Sequence, residues 1–255
     1  MRFGICAGVK TDYIQVMKAC GYDYFETNMT EITAMSEDEF SSFHGFVEKC
    51  GLPCEASNCF IPGQYKLTGA DIDYGAIAAY VAKALKRASA LGLKTAVFGS
   101  GGARRYPDGT NRQDAQRQIT RFLKEIVSPE AFKYGIQIVI EPLNKNEDNA
   151  INSVPEGVRI AKATGCDNIK TLADLYHVYI ENDPLNAISQ MKGDILHSHI
   201  ANPVKRKYPL PGDGFDFSPF LNALKTAGCP RCSVEAGTDD FIAEAPKALE
   251  LLRSL

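Results

Sequence analysis

Apolar residues along this chain follow two alternating patterns. Helical segments such as residues 77–91 carry apolar side chains three or four positions apart, and short apolar runs typical of buried strands follow them. A glycine separates helix from strand at seven junctions, since glycine ends helices in the left-handed conformation at no steric cost. The junction glycines are Gly21, Gly51, Gly92, Gly135, Gly165, Gly193 and Gly228.

An opening strand at residues 2–6 precedes the first junction and brings the predicted number of strands to eight. Strands that alternate with helices form parallel sheets, and eight of them suggest closure into a barrel. A chain of 255 residues matches one such barrel, typically about 250 residues. We therefore predict an α/β chain with a single (β/α)8 TIM barrel domain over residues 1–255.

Helix-start signals support this count. Ser36 and Glu39 have capping-box spacing, and Ser153 and Glu156 repeat it with a proline between them. A final helix is predicted from about Phe241 to Leu251. The helices are therefore indicated independently of the glycines.

Composition and charge exclude several classes of protein. The formal net charge is only −3 and the basic residues are dispersed, so neither nucleic acid nor a membrane surface is an expected partner. The sequence has no signal-peptide core and no apolar run long enough to cross a bilayer, which predicts a cytoplasmic protein. The eight cysteines are expected to be reduced, and Cys229-Pro230-Arg231-Cys232 lacks the second pair of a structural zinc site.

Metal-ligand residues stand at the ends of the last four predicted strands: Glu141, Asp174, His199 and Glu235. Active sites of (β/α)8 barrels lie at the carboxyl ends of the strands, so these side chains should converge. Three crowded carboxylates repel one another unless a cation neutralises them. The oxygen-rich set with one nitrogen predicts one divalent ion. Mn²⁺ is favoured, with Mg²⁺ or Co²⁺ as alternatives.

The same residues carry a family resemblance. The segments 141–147 (EPLNKNE), 174–177 (DLYH), 197–199 (HSH) and 234–235 (VE) resemble the sugar phosphate isomerase/epimerase group of xylose isomerase-like barrels. Its members include the ketose 3-epimerases of the D-tagatose and D-psicose type. The resemblance extends over essentially the whole chain.

The resemblance implies roles for individual residues. Glu141, Asp174, His199 and Glu235 would bind the metal, and Glu141 and Glu235 would also act as catalytic acid and base. Glu147 and His177 match positions that contact substrate, and His197 would support the site. Relatives carry arginine where this chain has Lys145, and the later substrate-contacting arginine falls near Lys205 or Arg206, of which we favour Arg206.

The implied function is metal-dependent sugar isomerisation or epimerisation. We expect ketose 3-epimerisation by proton abstraction next to a carbonyl through a metal-stabilised enediolate, acting on a small, unphosphorylated sugar. An aldose–ketose isomerase and a keto-cyclitol dehydratase begin with the same step and remain alternatives. A non-catalytic sugar-binding barrel is the alternative of another class. An abasic-site endonuclease is disfavoured because the chain has only four histidines and no basic face. The sequence leaves a homo-oligomer open.

Other residues near the predicted mouth have two interpretations each. Residues 99–107, which include Arg104 and Arg105, are expected to form either a flexible loop or an anion cradle around the mouth. Asn58, Phe60 and Ile61 are expected to form an apolar wall or to pack within a loop. Glu26 ends the second strand and is interpreted either as part of the pocket or, in the interpretation that we favour, as part of a structural ion pair.

Overall fold

The computed structural model describes residues 1–255 and contains eight parallel strands in one sheet. The strands are β1 (Arg2–Ile5), β2 (Phe25–Asn28), β3 (Cys54–Asn58), β4 (Thr95–Phe98), β5 (Gln137–Ile140), β6 (Ile169–Asp174), β7 (Ile195–Ile200) and β8 (Arg231–Val234). From β2 to β8 each strand is hydrogen-bonded to its neighbours in chain order, and β1 pairs with β8.

Contacts between β1 and β2 complete the ring. Cys6 and Glu26 form a parallel bridge just beyond the end of β1, and the Ala7 backbone N–H donates to the Glu26 carbonyl oxygen at 2.9 Å. The pairing of β1 with β8 aligns Arg2 with Arg231 and Ile5 with Val234. The predicted (β/α)8 barrel is therefore confirmed.

Helices occupy the connections between the strands. They are α1 (Thr11–Cys20), α2 (Met29–Ala34), α3 (Glu37–Cys50), α4 (Tyr74–Ala90), α5 (Gly101–Arg104), α6 (Arg112–Phe122), α7 (Ser128–Lys133), α8 (Val154–Thr164), α9 (Leu175–Glu181), α10 (Leu185–Gln190), α11 (Ser218–Ala227) and α12 (Phe241–Ser254). One turn of π-helix, Leu123–Val127, joins α6 to α7.

The helix boundaries follow the local signals in the sequence. All seven junction glycines have positive φ angles, between 65° and 87°. Ser36 and Glu39 form both hydrogen bonds of a capping box at the start of α3. At α8 only half of that motif forms: the Ser153 side chain accepts from Glu156 N, but the Glu156 carboxylate does not bond to Ser153 N. The carboxylate accepts instead from Asn152 N, Arg112 and Gln116.

The main core contains 61 buried apolar residues. A separate cluster of Val97, Val139 and Leu172 is formed by β4, β5 and β6. In a strand, residues two apart share a face. Val139 and Leu172 therefore lie on the same faces of their strands as Glu141 and Asp174, and they form a packed apolar layer beneath the carboxyl ends.

All eight cysteines are free thiols, including Cys229 and Cys232. Burial raises the pKa of the Cys229 thiol to about 11 and that of Cys232 to about 12. Because thiolates are the reactive and metal-binding form, neither thiol is activated. None of the helices is long and apolar enough to cross a membrane.

Candidate metal centre and sugar pocket

The last four strands deliver one ligand-type side chain each to the same place. Glu141 directly follows β5, Asp174 is the last residue of β6, His199 lies one residue before the end of β7, and Glu235 directly follows β8. One potential ligand atom from each of the four residues lies within 4.8 Å of all the others. The structure therefore brings together all four side chains that the sequence singled out.

Hydrogen bonds define how these side chains face one another. His199 Nδ1 lies 3.0 Å from Glu141 Oε1 and 3.4 Å from Glu235 Oε2. Asp174 Oδ1 accepts a bond of 2.8 Å from the Tyr176 N–H and so caps α9, while the buried Asp174 Oδ2 has no hydrogen-bond partner. A buried carboxylate oxygen without a donor is costly unless a cation or a proton neutralises it.

The pKa values of the cluster reflect this crowding. Burial, and then the charges of Glu141 and Glu235, raise the pKa of Asp174 to about 8. Burial likewise raises the pKa of Glu141, against the opposing influence of His199. At Glu235 burial also raises the pKa, but the charge of His199 and hydrogen bonds from His199 and Asn58 outweigh it and lower the value to about 2.

This donor set fits a divalent cation. Three carboxylates and one imidazole, with the Asp174 Oδ2 atom lacking a donor, offer the oxygen-rich environment that Mn²⁺ or Mg²⁺ prefers. A second group, Cys6, Glu26 and His199, also has its potential ligand atoms close together. It fits less well, because burial raises the pKa of the Cys6 thiol well above its usual range and the thiolate is the ligand form.

Glu26 and His197 lie beneath the cluster and are fully buried. Glu26 Oε2 lies 2.8 Å from His197 Nε2, and Glu26 Oε1 lies 3.1 Å from His199 Nε2. Burial raises the pKa of Glu26, but the charges of the two histidines outweigh it and hold the pKa well below its usual range. Burial lowers the pKa of His199, but the charges of Glu235 and Glu26 outweigh it and hold the pKa well above its usual range, so His199 is the ion-pair partner of Glu26, as expected. Burial lowers the pKa of His197, so that imidazole is an uncharged hydrogen-bond partner.

A cavity of about 440 Å³ opens above the cluster. Its lining includes Glu141 and Glu235 together with Glu147, His177 and Arg206, the three residues expected to contact substrate. The other lining residues come mainly from the first half of the chain. Apart from Ile61, Pro62 and Leu143 they are polar or small: Asn28, Thr30, Asn58, Cys59, Gly99, Ser100, Gly101 and Gly102.

His177 presents a neutral N–H toward this cavity. The backbone N–H of Asn144 donates to His177 Nδ1 at 3.1 Å, so the ring proton belongs on Nε2. Burial, and then the charge of Arg206, lower the pKa of His177 to about 3, which keeps the ring uncharged. The buried Nε2 has no hydrogen-bond partner and lies 3.7 Å from Asp174 Oδ2. It is therefore free to donate to a ligand oxygen.

Arg206 lies over the ring of Tyr176, with its guanidinium carbon 4.3 Å from the ring centroid. Its Nη1 atom donates to Glu147 Oε1 at 2.9 Å, and its Nη2 atom lies 3.8 Å from Glu235 Oε2. The side chains of Arg206 and Glu147 are 38% and 37% exposed, so both remain accessible to a ligand.

The expectation that Arg104 surrounds the mouth is wrong. Residues 101–104 form the short helix α5, and the Arg104 side chain is fully buried. It pairs with the equally buried Asp148 at 2.7 Å and donates to the carbonyl oxygens of Phe98 and Glu141 at 2.9 and 2.7 Å. A buried guanidinium requires such partners, and here they tie together the ends of β4 and β5.

Asn58 has a role that the sequence did not indicate. Its Nδ2 atom donates to Glu235 Oε1 at 2.9 Å. Of the expected apolar wall only Ile61 lines the cavity, because Phe60 is buried in the core.

The sequence also did not indicate the role of Gly99. A Cβ atom at Gly99 would overlap Glu141 Oε2, so only glycine leaves space for that carboxylate. The signal available in the sequence was its position directly after β4, at the carboxyl-end rim.

The fold and the ligand cluster define the class of this protein as a (β/α)8 barrel with a metal-competent carboxyl-end rim. A family model described as the xylose isomerase-like TIM barrel matches residues 14–255. The chain belongs to this family, as the resemblance predicted.

Relatives in the family include named sugar epimerases. D-psicose 3-epimerase from Agrobacterium fabrum is 35% identical over 81 residues, which cover 31% of this chain and 27% of that protein. L-ribulose 3-epimerase from Mesorhizobium japonicum is 28% identical over 174 residues, which cover 66% of this chain and 56% of that protein. The matched segments thus span less than two thirds of the length of either relative.

Solved structures resemble the whole fold. The crystal structure of D-psicose 3-epimerase with D-tagatose from Clostridium cellulolyticum H10 has a TM-score of 0.85 and 21% sequence identity. The match covers 100% of this chain and 99% of that one. At this identity the similarity shows a shared fold.

Proposed function

We propose that this chain is a divalent-metal-dependent ketose 3-epimerase. The observation that carries the proposal is the cluster of Glu141, Asp174, His199 and Glu235 at the base of a polar cavity. The epimerase relatives support the reaction class.

The four clustered residues would hold the cation, and we propose Mn²⁺ because oxygen ligands dominate the set. When bound, such an ion polarises a carbonyl group and stabilises negative charge that develops beside it. The orphaned Asp174 Oδ2 atom gains a partner in this arrangement.

Glu141 and Glu235 would transfer the protons. They follow β5 and β8, with β6 and β7 between them, so they approach a bound sugar from different directions. Inversion at a carbon next to a carbonyl needs a base on one side and an acid on the other, and each carboxyl can serve in either role as the reaction direction changes. Asn58 would orient Glu235, to which it donates a hydrogen bond.

Glu147, His177 and Arg206 would position the sugar. The uncharged His177 Nε2–H offers a hydrogen bond to a carbonyl or hydroxyl oxygen, and Glu147 accepts from hydroxyl groups. Arg206 donates and is held in place by Tyr176 and Glu147.

The charge of the cavity favours an unphosphorylated substrate. Arg206 is the single cationic side chain among the lining residues, which also include the three carboxylates Glu141, Glu147 and Glu235. Even with a divalent cation bound, these carboxylates and Asp174 leave the site net negative, so a phosphate would meet like charge, which is unfavourable in a partly desolvated site.

Product analysis on a panel of pentuloses, hexuloses and their phosphates tests this proposal. With Mn²⁺ in D₂O, we expect the 3-epimer of an unphosphorylated ketose to form with solvent deuterium at the inverted carbon. An aldose product would indicate an aldose–ketose isomerase, and loss of water from a keto-cyclitol would indicate a dehydratase. Sugar binding without any exchange of the carbon-bound hydrogen would indicate a non-catalytic barrel.

Metal binding can be checked separately from catalysis. A ligand that binds only the folded state raises the melting temperature. We expect Mn²⁺ to raise the melting temperature of chelator-treated protein, and Asp174→Ala to abolish this rise. An unchanged melting curve of the wild-type protein would contradict the proposed metal centre.

A further inference from the structure

Glu26 lies on β2, outside the group of four clustered ligands, yet it contacts one of them. Its two carboxylate oxygens each meet a different imidazole: Oε1 lies 3.1 Å from His199 Nε2, and Oε2 lies 2.8 Å from His197 Nε2. All three side chains are completely buried. No water competes for these bonds, so their geometry is set by the protein alone.

This geometry determines which nitrogen of His199 is available as a ligand. An ionised carboxylate accepts hydrogen bonds and cannot donate them, so His199 Nε2 must carry a proton where it meets Glu26. The other ring nitrogen, Nδ1, faces Glu141 and Glu235 at 3.0 and 3.4 Å. Nδ1 is therefore the nitrogen that loses its proton when His199 acts as a ligand.

We propose that Glu26 is a positioning residue that fixes the Nε2–H tautomer of His199 and aims Nδ1 into the metal centre. The inference rests on the proposed metal centre. A carboxylate that accepts the second N–H of a ligating histidine holds the ring orientation and raises the basicity of the ligating nitrogen. Here the two residues come from β2 and β7, on different sides of the barrel.

His197 holds Glu26 in place rather than acting on the metal centre itself. The Nε2 atom of His197 is hydrogen-bonded to the second carboxylate oxygen of Glu26, Oε2. The Nδ1 atom of His197 is buried without a hydrogen-bond partner. Its ring packs edge-on against that of His199, with 5.3 Å between the ring centroids. Any other side chain that donates to Glu26 Oε2 should serve this purpose.

Glu26→Gln and His197→Gln form a matched pair of substitutions. Glutamine at position 26 keeps the size of the side chain but loses the negative charge and one of the two acceptor oxygens, so only one imidazole can keep its N–H bond. Glutamine at position 197 keeps a donor for Glu26 and leaves the bond to His199 intact. Both variants disturb the same buried network, whereas only the first removes the carboxylate from His199.

Mn²⁺ affinity, measured by titration calorimetry on chelator-treated protein, distinguishes positioning from a merely structural role. We expect Glu26→Gln to weaken Mn²⁺ binding by about 10- to 100-fold, the usual effect of losing such a partner. His197→Gln should bind Mn²⁺ nearly as the wild type does, even where both variants melt at lower temperature.

A spectroscopic measurement checks the tautomer directly. The chain has only four histidines, so ¹H–¹⁵N spectra of the Zn²⁺-loaded protein can be assigned. The wild type should show a strongly downfield, slowly exchanging Nε2 proton on His199, and this signal should move upfield in Glu26→Gln. If Glu26→Gln does not fold, Glu26→Asp supplies the same test, because its shorter carboxylate retracts from His199.

Wild-type Mn²⁺ affinity retained in Glu26→Gln or Glu26→Asp would overturn the inference and leave the proposed metal centre intact. Equal losses of affinity in Glu26→Gln and His197→Gln would also overturn it, because the effect would then belong to the network as a whole. Failure of the wild type to bind Mn²⁺ would overturn the metal centre itself.

Discussion

The two halves of the barrel contribute different chemistry to one rim. Strands β5 to β8 end in the four clustered ligands, Glu141, Asp174, His199 and Glu235. Strands β1 to β4 supply no member of that cluster. Their ends contribute Asn28, Asn58 and Gly99 to the cavity lining, and the carboxylate of Glu26 lies below it.

This difference separates a cluster of charged side chains from the groups that hold them in place. The second half concentrates charge, as the raised pKa values of Asp174 and Glu141 show. The first half provides an amide donor to Glu235, space for Glu141 and an acceptor for His199. Substitutions in the second half should therefore abolish chemistry, and those in the first half should act through the geometry of these charged residues.

The largest expected effect tests whether proton transfer belongs to the second half. Glu141→Gln and Glu235→Gln should each lower kcat by about 10²- to 10⁴-fold, because glutamine keeps a carbonyl oxygen but cannot accept the proton. The double variant should lose far less than the product of the two single losses, since both groups serve one reaction. Steady-state kinetics with Mn²⁺ and an active ketose would measure this.

Asn58→Ala is the control from the first half. It leaves both carboxylates present and removes one donor to Glu235, so its loss should be smaller than that of either glutamate variant. Unimpaired turnover in either Glu→Gln variant, with metal still bound, would move the base to another residue.

The next prediction concerns the clamp between the two halves, formed by Arg104 and Asp148. Arg104→Ala should lower the free energy of unfolding by about 3–5 kcal/mol, because it leaves the Asp148 carboxylate buried without its partner. Arg206→Ala is the matched control: its pair with Glu147 is half-exposed, and such pairs contribute about 0–1 kcal/mol. Urea denaturation of the two variants measures the contrast, and equal losses would contradict the assignment of Arg104 to the clamp.

Arg104 shows where prediction from the sequence reaches its limit. Local signals were enough to predict the barrel. A glycine that ends a helix is recognised from the residues beside it, and a ligand at a strand end is recognised from the alternation of side chains along its strand. Arg104 instead lies in a glycine-rich segment that resembles an exposed loop, and its partner Asp148 is 44 residues away.

The same limit applies to the side chains beneath the proposed metal centre. Glu26 is 171 residues from His197 and 173 from His199, so no local pattern connects them. The sequence did indicate an ion pair for Glu26, because a charged side chain at a strand end requires a partner when buried. The family resemblance implied a supporting role for His197. The sequence could not identify the partners, which follow only from closure of the barrel between β1 and β2.

A third prediction tests whether the first half acts by leaving space. Gly99→Ala should displace the Glu141 carboxylate, because the new Cβ would overlap Oε2 and lie 3.3 Å from Cδ. A misplacement of about 1 Å at a catalytic group can cost on the order of 10²-fold in rate. The free energy of unfolding should change little, since the end of a flexible side chain can move aside.

Gly63→Ala is the control for Gly99→Ala. Its Cβ would meet its nearest neighbours, backbone atoms of Gly102, at an ordinary 3.6 Å, and Gly63 does not line the cavity, so both kcat/KM and Mn²⁺ affinity should stay close to wild type. If Gly99→Ala kept wild-type values of both, the first half would not constrain Glu141 in this way.

The smallest expected effect tests the charge that the second half concentrates. In the metal-free protein the pKa of Asp174 is about 8, raised by burial and by Glu141 and Glu235 from its usual value of 3.8. Between pH 7 and 8 the folded state therefore holds a proton that the unfolded state has lost, and stability must fall as pH rises. This one group should lower the free energy of unfolding by about 1 kcal/mol over that interval. The raised pKa of His199 acts in the same direction.

Denaturation of chelator-treated protein at pH 7 and pH 8 measures this fall, and Asp174→Asn is its matched control because asparagine has no proton to lose in that range. The lowered pKa values of His177 and Glu235, about 3 and about 2, place most of their contributions below this interval. Saturating Mn²⁺ should reverse the sign, because the cation competes with protons for the same carboxylates and binds more tightly as pH rises. A wild-type protein whose metal-free stability is equal at both values, or falls no more steeply than that of Asp174→Asn, would show that the carboxylates are not crowded enough to require a cation.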